Sequence, residues 1–270
     1  MNEKGETPNL SNVKHILLVM SGKGGVGKST VAVQLALTFR KFKKKVGILD
    51  VDLCGPSITH MLGLEDKDVH QCEQGWVPVY ADNEKSLAVM STGFLLKRKE
   101  DAIIWRGPKK NAIIKQFLED VYWQDIDILI IDTPPGTSDE HLSVVENIKQ
   151  LKPDGAILVT TPQGVSINDV RRELTFCKKA EIPVLGIIEN MSGFACPNCL
   201  ECTNIFSTGN GKLFADNANV KFLGTIPIDP LLSQALEKGE NFVELFSDSP
   251  TIQQFSDIAQ LLLQICECSN

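Results

Sequence analysis

The sequence has no long apolar run. No stretch of eighteen consecutive apolar residues occurs in the 270-residue chain, and a helix needs about that many to cross a bilayer. Hydrophobic residues make up 43% and charged residues 23% of the chain, which are ordinary proportions for a globular protein. We therefore expect a protein that folds in water around a large core and spans no membrane.

The chain also lacks an excess of basic residues. It carries 27 Lys and Arg against 34 Asp and Glu, a net charge of −7, and its isoelectric point is about 5.2. Such a surface argues against nucleic acid as a partner. Residues 251–270 contain no Lys or Arg, so the basic amphipathic tail of a membrane-surface protein is missing as well.

No export or transit signal is visible at the N-terminus. Met1–Asn12 is polar and includes Glu3 and Glu6, unlike the apolar or Arg-rich segments that direct secretion or import. Without such a signal, the eight cysteines favour reduced thiols and metal ligands over disulfides. The expected location is the cytoplasm, with the nucleus left open as a second one.

Residues 16–30 organise the rest of the chain. The apolar run Ile16–Met20 predicts a buried strand, and helical apolar spacing begins at Thr30. Between them lies the pattern G-x-x-x-x-G-K-[ST], which binds phosphate when a strand precedes it and a helix follows. The predicted nucleotide-binding residues are Gly22, Lys23, Gly24, Gly25, Val26, Gly27, Lys28, Ser29 and Thr30.

Each part of this loop has a chemical task. Glycines leave consecutive backbone N–H groups free to point at phosphate oxygens, and the following helix adds its positive dipole end. Lys28 is expected to reach the β- and γ-phosphates, and the Ser29 hydroxyl to hold Mg²⁺. Lys23 cannot easily fold back onto the phosphates of its own loop. It is either a solvated surface lysine or a group that reaches phosphates presented by another copy of the chain.

Three aspartates are candidates for catalysis. Asp132 ends an apolar strand and matches a Walker-B carboxylate on Mg²⁺. Asp50 and Asp52 lie two residues apart, so in extended backbone they face one side. We assign Asp50 to Mg²⁺, because carboxylates beside a triphosphate repel each other unless metal and lysines neutralise them. In the stiff segment after Asp132, Gly136 can offer its N–H to the γ-phosphate.

Strand and helix patterns alternate along the whole chain. The strands are almost continuously apolar, which indicates a parallel sheet covered by helices on both faces. Ligands bind such sheets beyond the carboxyl ends of the strands, where the loop and the aspartates are found. We predict one α/β P-loop domain over residues 1–270, with a cysteine-containing insertion near 190–212.

The insertion contains the pattern C-x₂-C-x₂-C. The spacing of Cys196 and Cys199 lets both thiolates face one metal centre. A closed zinc site needs four ligands, and no histidine follows His141. Cys202 offers a third thiolate, and Cys266 and Cys268 could add others only if the C-terminus folds back. The simplest completion is two chains that each give Cys196 and Cys199 to one [4Fe–4S] cluster, although structural zinc or inert thiols stay open.

The loop from Lys23 to Ser29 resembles the deviant phosphate loop of the MinD, ParA and nitrogenase-iron-protein superfamily. Over nearly its whole length the chain further resembles the Mrp/ApbC-type ATPases that scaffold and deliver iron–sulfur clusters. The strings that carry this resemblance are Asp50–Ser57, Trp105–Pro108, Asp132–Asp139, Glu189–Ser192 and the Cys196/Cys199 pair. Trp105–Asn111 and Cys196–Cys202 look most like the eukaryotic cytosolic branch. Because no cysteine precedes Cys54, the chain is similar to the short form of that branch, which lacks the N-terminal cysteine motif of the long form.

This resemblance implies several roles. Lys23 would cross a dimer interface to the partner's nucleotide, and Asp52 would orient the attacking water. Asn190 and the segment that includes Pro227 and Asp229 would recognise adenine. The implied cofactors are ATP, Mg²⁺ and a [4Fe–4S] cluster. The implied partners are a second copy of the chain, the long form, and iron–sulfur apoproteins.

The sequence thus predicts a slow Mg²⁺-ATPase that carries [4Fe–4S] clusters to cytosolic and nuclear apoproteins. A positioning ATPase that rides a membrane or DNA is a different class, and the missing basic tail and the acidic charge count against it. A zinc-stabilised ATPase that acts as a positioning or cytoskeletal switch is the remaining alternative. Spectroscopy of anaerobically purified protein separates a cluster from zinc.

Overall fold

A computed structural model of the chain describes most of its residues. The described residues are 10, 12–52, 55–95, 107–136, 139–195, 202–203 and 208–268. Predictions for Cys54, Trp105, Arg106, Ser138, and the Cys196–Cys199 pair lie outside them. Strands and helices alternate through these ranges, as the apolar patterns predict.

The described residues form eleven strands. Their bounds are β1 (Val13–Met20), β2 (Val46–Asp50), β3 (His70–Cys72), β4 (Gly75–Val77), β5 (Val79–Tyr80), β6 (Leu87–Ser91), β7 (Ile126–Asp132), β8 (Gly155–Thr160), β9 (Val184–Ala195), β10 (Cys202–Thr203) and β11 (Phe222–Ile228).

The same ranges contain nine α-helices. Their bounds are α1 (Lys28–Lys41), α2 (Ile58–Met61), α3 (Gly107–Asp120), α4 (Asp139–Lys149), α5 (Gly164–Ala180), α6 (Asn210–Ala218), α7 (Pro230–Glu237), α8 (Phe242–Leu245) and α9 (Pro250–Cys268).

Nine of the strands join in one sheet. Its order is β10-β9-β8-β1-β7-β2-β6-β5, and β11 also pairs with β9. Only β5 and β10 run antiparallel to their neighbours in this described sheet. The remaining pairs are parallel, so the predicted mostly parallel sheet is confirmed. Its carboxyl edge collects the ends of β1, β2, β7, β8 and β9.

Helices cover both faces of the sheet, because residues of the central strands are buried on either side. One apolar cluster packs the sheet against α1, α7, α8 and α9. The other packs it against α3, α4, α5 and α6. The predicted inward residues of α5, Val170, Leu174 and Cys177, lie in this second cluster. Every central strand therefore places its carboxyl end between two helical layers.

Several elements were not predicted. The segment 53–85 contains the short helix α2 and the hairpin β3–β4 in addition to loops. Strand β9 continues to Ala195, seven residues beyond the predicted end at Ile188. Helix α6 follows the cysteine segment. The single-domain prediction, with its insertion near 190–212, stays a prediction.

In the described part of the chain, no helix is both long enough and apolar enough to cross a bilayer.

Candidate nucleotide and metal site

The predicted phosphate loop lies between β1 and α1 at the carboxyl edge of the sheet. Strand β1 ends at Met20, α1 begins at Lys28, and the loop bends through two glycines with positive φ, Gly25 and Gly27, both at 79°. The Ser21 hydroxyl donates to the carbonyl oxygen of Lys23 (3.0 Å) and braces the first turn of the loop. This is the strand–loop–helix context that the phosphate-binding pattern requires.

Two glycines of the loop are needed for close packing. A Cβ on Gly22 would lie 2.4 Å from the carbonyl carbon and oxygen of Asp169 in α5. A Cβ on Gly27 would lie 2.2 Å from Nδ2 of Asn190 in β9, and Gly27 already has the left-handed backbone that glycine favours. The Asn190 amide donates to the carbonyl oxygen of Val26 (2.8 Å). The loop is thus held from outside by α5 and β9.

Lys28, Ser29 and Asp132 meet at the start of α1. The Lys28 ammonium donates to Oδ1 of Asp132 at 2.5 Å, and the Ser29 hydroxyl donates to Oδ2 of Asp132 at 2.5 Å. Lys28 is 5% exposed and Asp132 is fully buried. Both oxygens of the Walker-B carboxylate are therefore bonded by residues of the phosphate loop.

A second buried carboxylate stands beside this group. Asp50 at the end of β2 is in register with Asp132 at the end of β7. Burial first, and then the charge of Asp132, raises the pKa of Asp50 to about 8. Burial also raises the pKa of Asp132, against the opposing effects of Lys28 and Ser29. The two adjacent carboxylates thus share the single positive charge of Lys28. The uncompensated negative charge favours the binding of a further cation or a proton.

Asp50 and Asp52 differ in access to the site. The Asp50 carboxylate accepts from the Ser91 hydroxyl (2.9 Å) and from the N–H of Asp52 (3.0 Å), and its residue is 1% exposed. Asp52 is half-buried and lines a cavity over the loop. Of the two predicted carboxylates, only Asp52 lines the cavity, whereas Asp50 is buried beside Asp132.

The cavity has a volume of about 240 Å³. Its wall combines the phosphate loop with the segments that follow β2 and β7. The lining residues are Ser21, Lys23, Gly24, Gly25, Gly27, Lys28, Ser29, Thr30, Asp52, Gly55, Ser57, Met61 and Pro135. A larger cavity of about 460 Å³ lies at the amino edge and is lined by Arg40 and the lysines near it. We assign the site to the smaller one, since α/β sheets bind ligands at the carboxyl edge.

The donor set of the smaller cavity fits a magnesium nucleotide. Mg²⁺ prefers oxygen ligands, and the Ser29 hydroxyl and the Asp132 carboxylate offer such oxygens side by side. Lys28 supplies a positive charge at the same point. Backbone N–H groups at the start of α1 and the helix dipole favour a phosphate anion there.

Other predicted ligands have partners within the protein. The Gly136 N–H donates to the carbonyl oxygen of Ser21 (2.8 Å), so a γ-phosphate contact requires that bond to open. The Asp229 carboxylate caps α7 through the N–H of Leu231 (2.9 Å) and accepts from the Thr251 hydroxyl (2.7 Å). Pro227 is buried in β11. Adenine recognition by Asn190, Pro227 and Asp229 stays a prediction.

Glu189 has a role that sequence reasoning missed. This fully buried residue of β9 accepts hydrogen bonds from the Ser192 hydroxyl (2.6 Å) and the N–H groups of Gly209 (2.9 Å) and Gly211 (2.5 Å). Ser192 precedes the cysteine segment, and Gly209 and Gly211 follow it. Glu189 therefore ties the two described flanks of that segment to one carboxylate.

A comparison of the whole chain with known families identifies its family. A family model described as ParA, NUBPL iron-transfer P-loop NTPase, matches residues 12–263. The chain belongs to this family of iron-transfer P-loop NTPases.

Relatives of this iron-transfer NTPase match it nearly end to end. The cytosolic Fe–S cluster assembly factor NUBP2 of Gallus gallus is 62% identical over 258 residues, which cover 96% of this chain and 95% of that protein. The NUBP2 homolog of Nematostella vectensis is 64% identical over 249 residues, which cover 92% of each. The human protein of the same name is 56% identical over 263 residues and covers 97% of each.

Solved structures agree with this assignment. The nucleotide-binding protein of Archaeoglobus fulgidus, in complex with ADP and with cobalt found by PIXE, is 39% identical, with a TM-score of 0.76 over 90% of this chain and 94% of that one. The MinD cell division protein of Aquifex aeolicus is 21% identical, with a TM-score of 0.67 over 93% and 97% of the two chains. The second likeness confirms the predicted fold class.

The thiols of the iron-transfer NTPase occupy different environments. Cys177 is fully buried beside Met20, as predicted for a core residue. Cys266 is 3% exposed near the end of α9, where its thiol lies within 4.8 Å of ligand atoms of His15 and Asp154. That position is at the amino edge of the sheet, whereas the cysteine segment leaves β9 beyond the carboxyl edge. Cys266 thus lies at the opposite edge of the sheet from Ala195, the described residue that precedes the cysteine segment.

Proposed function

We propose that this NTPase is an ATP-dependent scaffold that assembles [4Fe–4S] clusters and transfers them to cytosolic and nuclear apoproteins. The family assignment supports iron transfer, and relatives at 56–64% identity carry the name of cytosolic Fe–S cluster assembly factors. In this proposal the cluster is the cargo of the protein, and the nucleotide controls when the cargo is held and released.

The residues of the nucleotide site have distinct tasks in this scheme. Lys28 binds the β- and γ-phosphates, and the oxygens of Ser29 and Asp132 hold Mg²⁺, with Asp50 behind them. Bound Mg²⁺ supplies charge neutralisation for the phosphate oxygens. Asp52 faces the cavity and orients the attacking water. Turnover is slow, because the loop acts as a conformational switch rather than as a supplier of phosphoryl groups.

Strand β9 is the observation that carries the proposal. Asn190 of β9 donates to the phosphate loop at Val26, and the strand continues to Ala195, the residue before Cys196. The backbone bulges on the way, because Met191 and Gly193 have positive φ and the four steps from Asn190 to Phe194 lie opposite only two steps of β11. Glu189, next to Asn190, holds both flanks of the cysteine segment. A movement of the phosphate loop around nucleotide can thus be transmitted through Asn190 and the backbone of β9 to the proposed cluster ligands.

The cluster ligands in the proposal are the Cys196 and Cys199 thiolates of two chains. Two thiolates from one chain leave a four-iron cluster with half of its ligands. A two-fold axis doubles them without any further residue. The backbone of Cys202 pairs with that of Ala195 in an antiparallel ladder. This pairing holds the two ends of the cysteine segment next to each other.

Surface features at the carboxyl edge support dimerisation through this side of the molecule. Lys23 lines the cavity and, within the described residues, forms no ion pair. Val165 of α5 is 66% exposed, one turn from the Asp169 backbone that packs on Gly22, and Leu213 of α6 is 61% exposed. A partner that covers these side chains would remove their apolar surface from water. The partner is a second copy of the chain or the long-form relative with its N-terminal cysteine motif.

Cluster transfer tests this function. The anaerobically reconstituted protein is mixed with an apo-ferredoxin of the [4Fe–4S] class, with and without Mg-ATP, and the holo-ferredoxin is quantified by its absorption. We expect transfer whose rate changes with Mg-ATP in the wild type and does not respond in Lys28→Ala. A reconstituted protein that gives up no cluster under either condition contradicts the carrier role.

A further inference from the structure

His15, Asp154 and Cys266 form a cluster of ligand types that the nucleotide site does not use. His15 lies in β1, Asp154 directly precedes β8, and Cys266 lies in the last turn of α9. Their nitrogen, carboxylate oxygen and sulfur atoms all lie within 4.8 Å of one another. Three distant parts of the sequence thus converge at the amino edge of the sheet, about 20 Å along β1 from the phosphate loop.

We propose that His15, Asp154 and Cys266 bind one divalent transition-metal ion of the zinc class. This site is separate from the cluster carried in the proposed function, which uses Cys196 and Cys199. One imidazole, one carboxylate and one thiolate make a borderline set that selects zinc, cobalt or ferrous iron over magnesium and calcium. Three protein ligands and one open position are a common zinc arrangement.

The distances suit such an ion after small side-chain rotations. Nδ1 of His15 lies 2.9 Å from Oδ1 of Asp154. In a tetrahedral zinc site, bonds of about 2.0–2.3 Å separate the ligand atoms by about 3.5 Å. The separation of His15 and Asp154 is shorter than that value, and no pair of ligand atoms is farther apart than 4.8 Å. Oδ2 of Asp154 accepts the N–H of Ile16 (2.7 Å), so the backbone already fixes the carboxylate with Oδ1 facing the other ligands.

Burial leaves room for a fourth ligand from solvent. The side chains of His15 and Asp154 are 14% and 16% exposed, whereas Cys266 is 3% exposed. A water molecule can therefore reach the open position, and the sulfur side of the site stays dry. Binding releases the thiol proton of Cys266 to solvent as the metal–sulfur bond forms. The ion then joins the start of β1, the start of β8 and the end of α9.

Cobalt spectroscopy tests the site in full-length protein. Cys196, Cys199 and Cys202 are all replaced by Ser, so that the cysteine segment offers no thiol. Co²⁺ is then added anaerobically. We expect one Co²⁺ per chain, with a thiolate-to-cobalt charge-transfer band and the intense visible bands of a tetrahedral ion. Excess Zn²⁺ should displace it.

Matched variants assign the ligands. In the same background, Cys266→Ser should abolish the charge-transfer band, and His15→Gln should weaken binding by at least about tenfold. Cys268→Ser and His60→Gln are the controls. Cys268 is an exposed thiol of the same helix, and His60 is paired with a carboxylate, Glu65, but lies outside the cluster. Both controls should bind as the background does.

A second measurement covers the case in which Cys266→Ser does not fold. Zn²⁺ should raise the thermal midpoint of the background protein, because it binds the folded state, and should not raise that of His15→Gln. The same cobalt band in Cys266→Ser, an equal zinc shift in His15→Gln, or no stoichiometric binding in the background overturns the proposal. None of these results bears on the cluster role of Cys196 and Cys199, which this background lacks.

Discussion

Lys28 and Asp132 form a buried ion pair in which each charge compensates the other. The ammonium is 5% exposed and the carboxylate fully buried. Removing one partner of such a pair typically costs about 3–5 kcal/mol, because a charge is left buried and uncompensated. Lys28 therefore contributes to folding as well as to phosphate binding, and a single substitution cannot separate the two effects.

A double variant separates them. Lys28→Ala should lose ATP binding and about 3–5 kcal/mol of unfolding free energy. Lys28→Ala combined with Asp132→Asn should recover much of that stability, because no charge remains unpaired, while ATP binding stays absent. Urea unfolding and nucleotide titration by calorimetry measure the two quantities. Wild-type ATP affinity in Lys28→Ala would remove the phosphate role from this lysine.

Asp50 should make stability depend on pH. Burial and the charge of Asp132 raise its pKa from 3.8 to about 8 in the folded protein. The folded state therefore holds a proton that the unfolded chain releases above pH 3.8. The stabilisation from this proton is complete below pH 3.8 and is lost as the pH rises through 8. One pKa unit corresponds to about 1.4 kcal/mol, so the change amounts to a few kcal/mol.

Asp50→Asn tests this dependence because asparagine cannot ionise. Without Mg²⁺, the unfolding free energy of the variant minus that of the wild type should increase from pH 4 to pH 8. Above pH 8 this difference should stay constant. Asp82→Asn is the control of opposite sign: burial raises the pKa of Asp82, but bonds from Ser86 and Leu87 lower it overall. That variant should be less stable than the wild type by a constant amount from pH 4 to pH 8, and the difference should shrink only as the pH falls below 3.8. Parallel pH profiles for wild type and Asp50→Asn would refute the assignment.

Strand β9 is the element that joins the two functional regions. Its polar part, Glu189 to Gly193, gave no strand signal because the apolar pattern stops at Ile188. The strand continues because β11 supplies backbone partners, with Asn190 opposite Ile226 and Phe194 opposite Ile228. That pairing depends on a segment more than thirty residues away in sequence, which local patterns do not report.

Elements with strong local signals were predicted well. Strand β8 has the predicted bounds, Gly155–Thr160, because its apolar run is continuous and turns flank it. The four-residue helices α2 and α8 are too short for a helical period, so they were missed. In the site, the motif predicted Lys28 and Ser29, whereas the anchoring by Glu189 depends on contacts twenty residues away.

Glu189 should control the cysteine segment without controlling nucleotide binding. Glu189→Ala removes the acceptor of three hydrogen bonds, and each buried donor left unpaired costs about 1–3 kcal/mol. We expect normal ATP binding, lower stability, and faster loss of the reconstituted cluster. Glu189→Gln should be intermediate, because it keeps one acceptor oxygen.

Glu181→Ala is the control for this prediction. Its carboxylate is 77% exposed and pairs with Lys149 on the surface, so the change should leave cluster lifetime unaltered. Cluster decay is followed anaerobically by absorption after a chelator is added. If Glu189→Ala keeps its cluster as long as Glu181→Ala does, the anchoring role of Glu189 is refuted.

At the scale of the whole molecule, the proposed dimer should place Lys23 against the partner's nucleotide. Lys23→Gln should leave ATP affinity unchanged and lower ATP hydrolysis in the assembled protein by about 10- to 100-fold, because a transition-state charge contact is lost. Lys43→Gln, an exposed lysine near the amino edge, should hydrolyse ATP normally. Normal turnover by assembled Lys23→Gln would make Lys23 a surface lysine.

The central claim is that two chains share one cluster through Cys196 and Cys199. Its most direct measurement is iron and acid-labile sulfide per dimer after anaerobic reconstitution, with size-exclusion chromatography alongside. The account predicts about four of each in the wild type and in Cys177→Ala, whose thiol is buried in the core. Cys196→Ala/Cys199→Ala should retain essentially none and lose any cluster-dependent dimer. Full iron content in that double variant, or stoichiometric zinc without iron in the wild type, would contradict it.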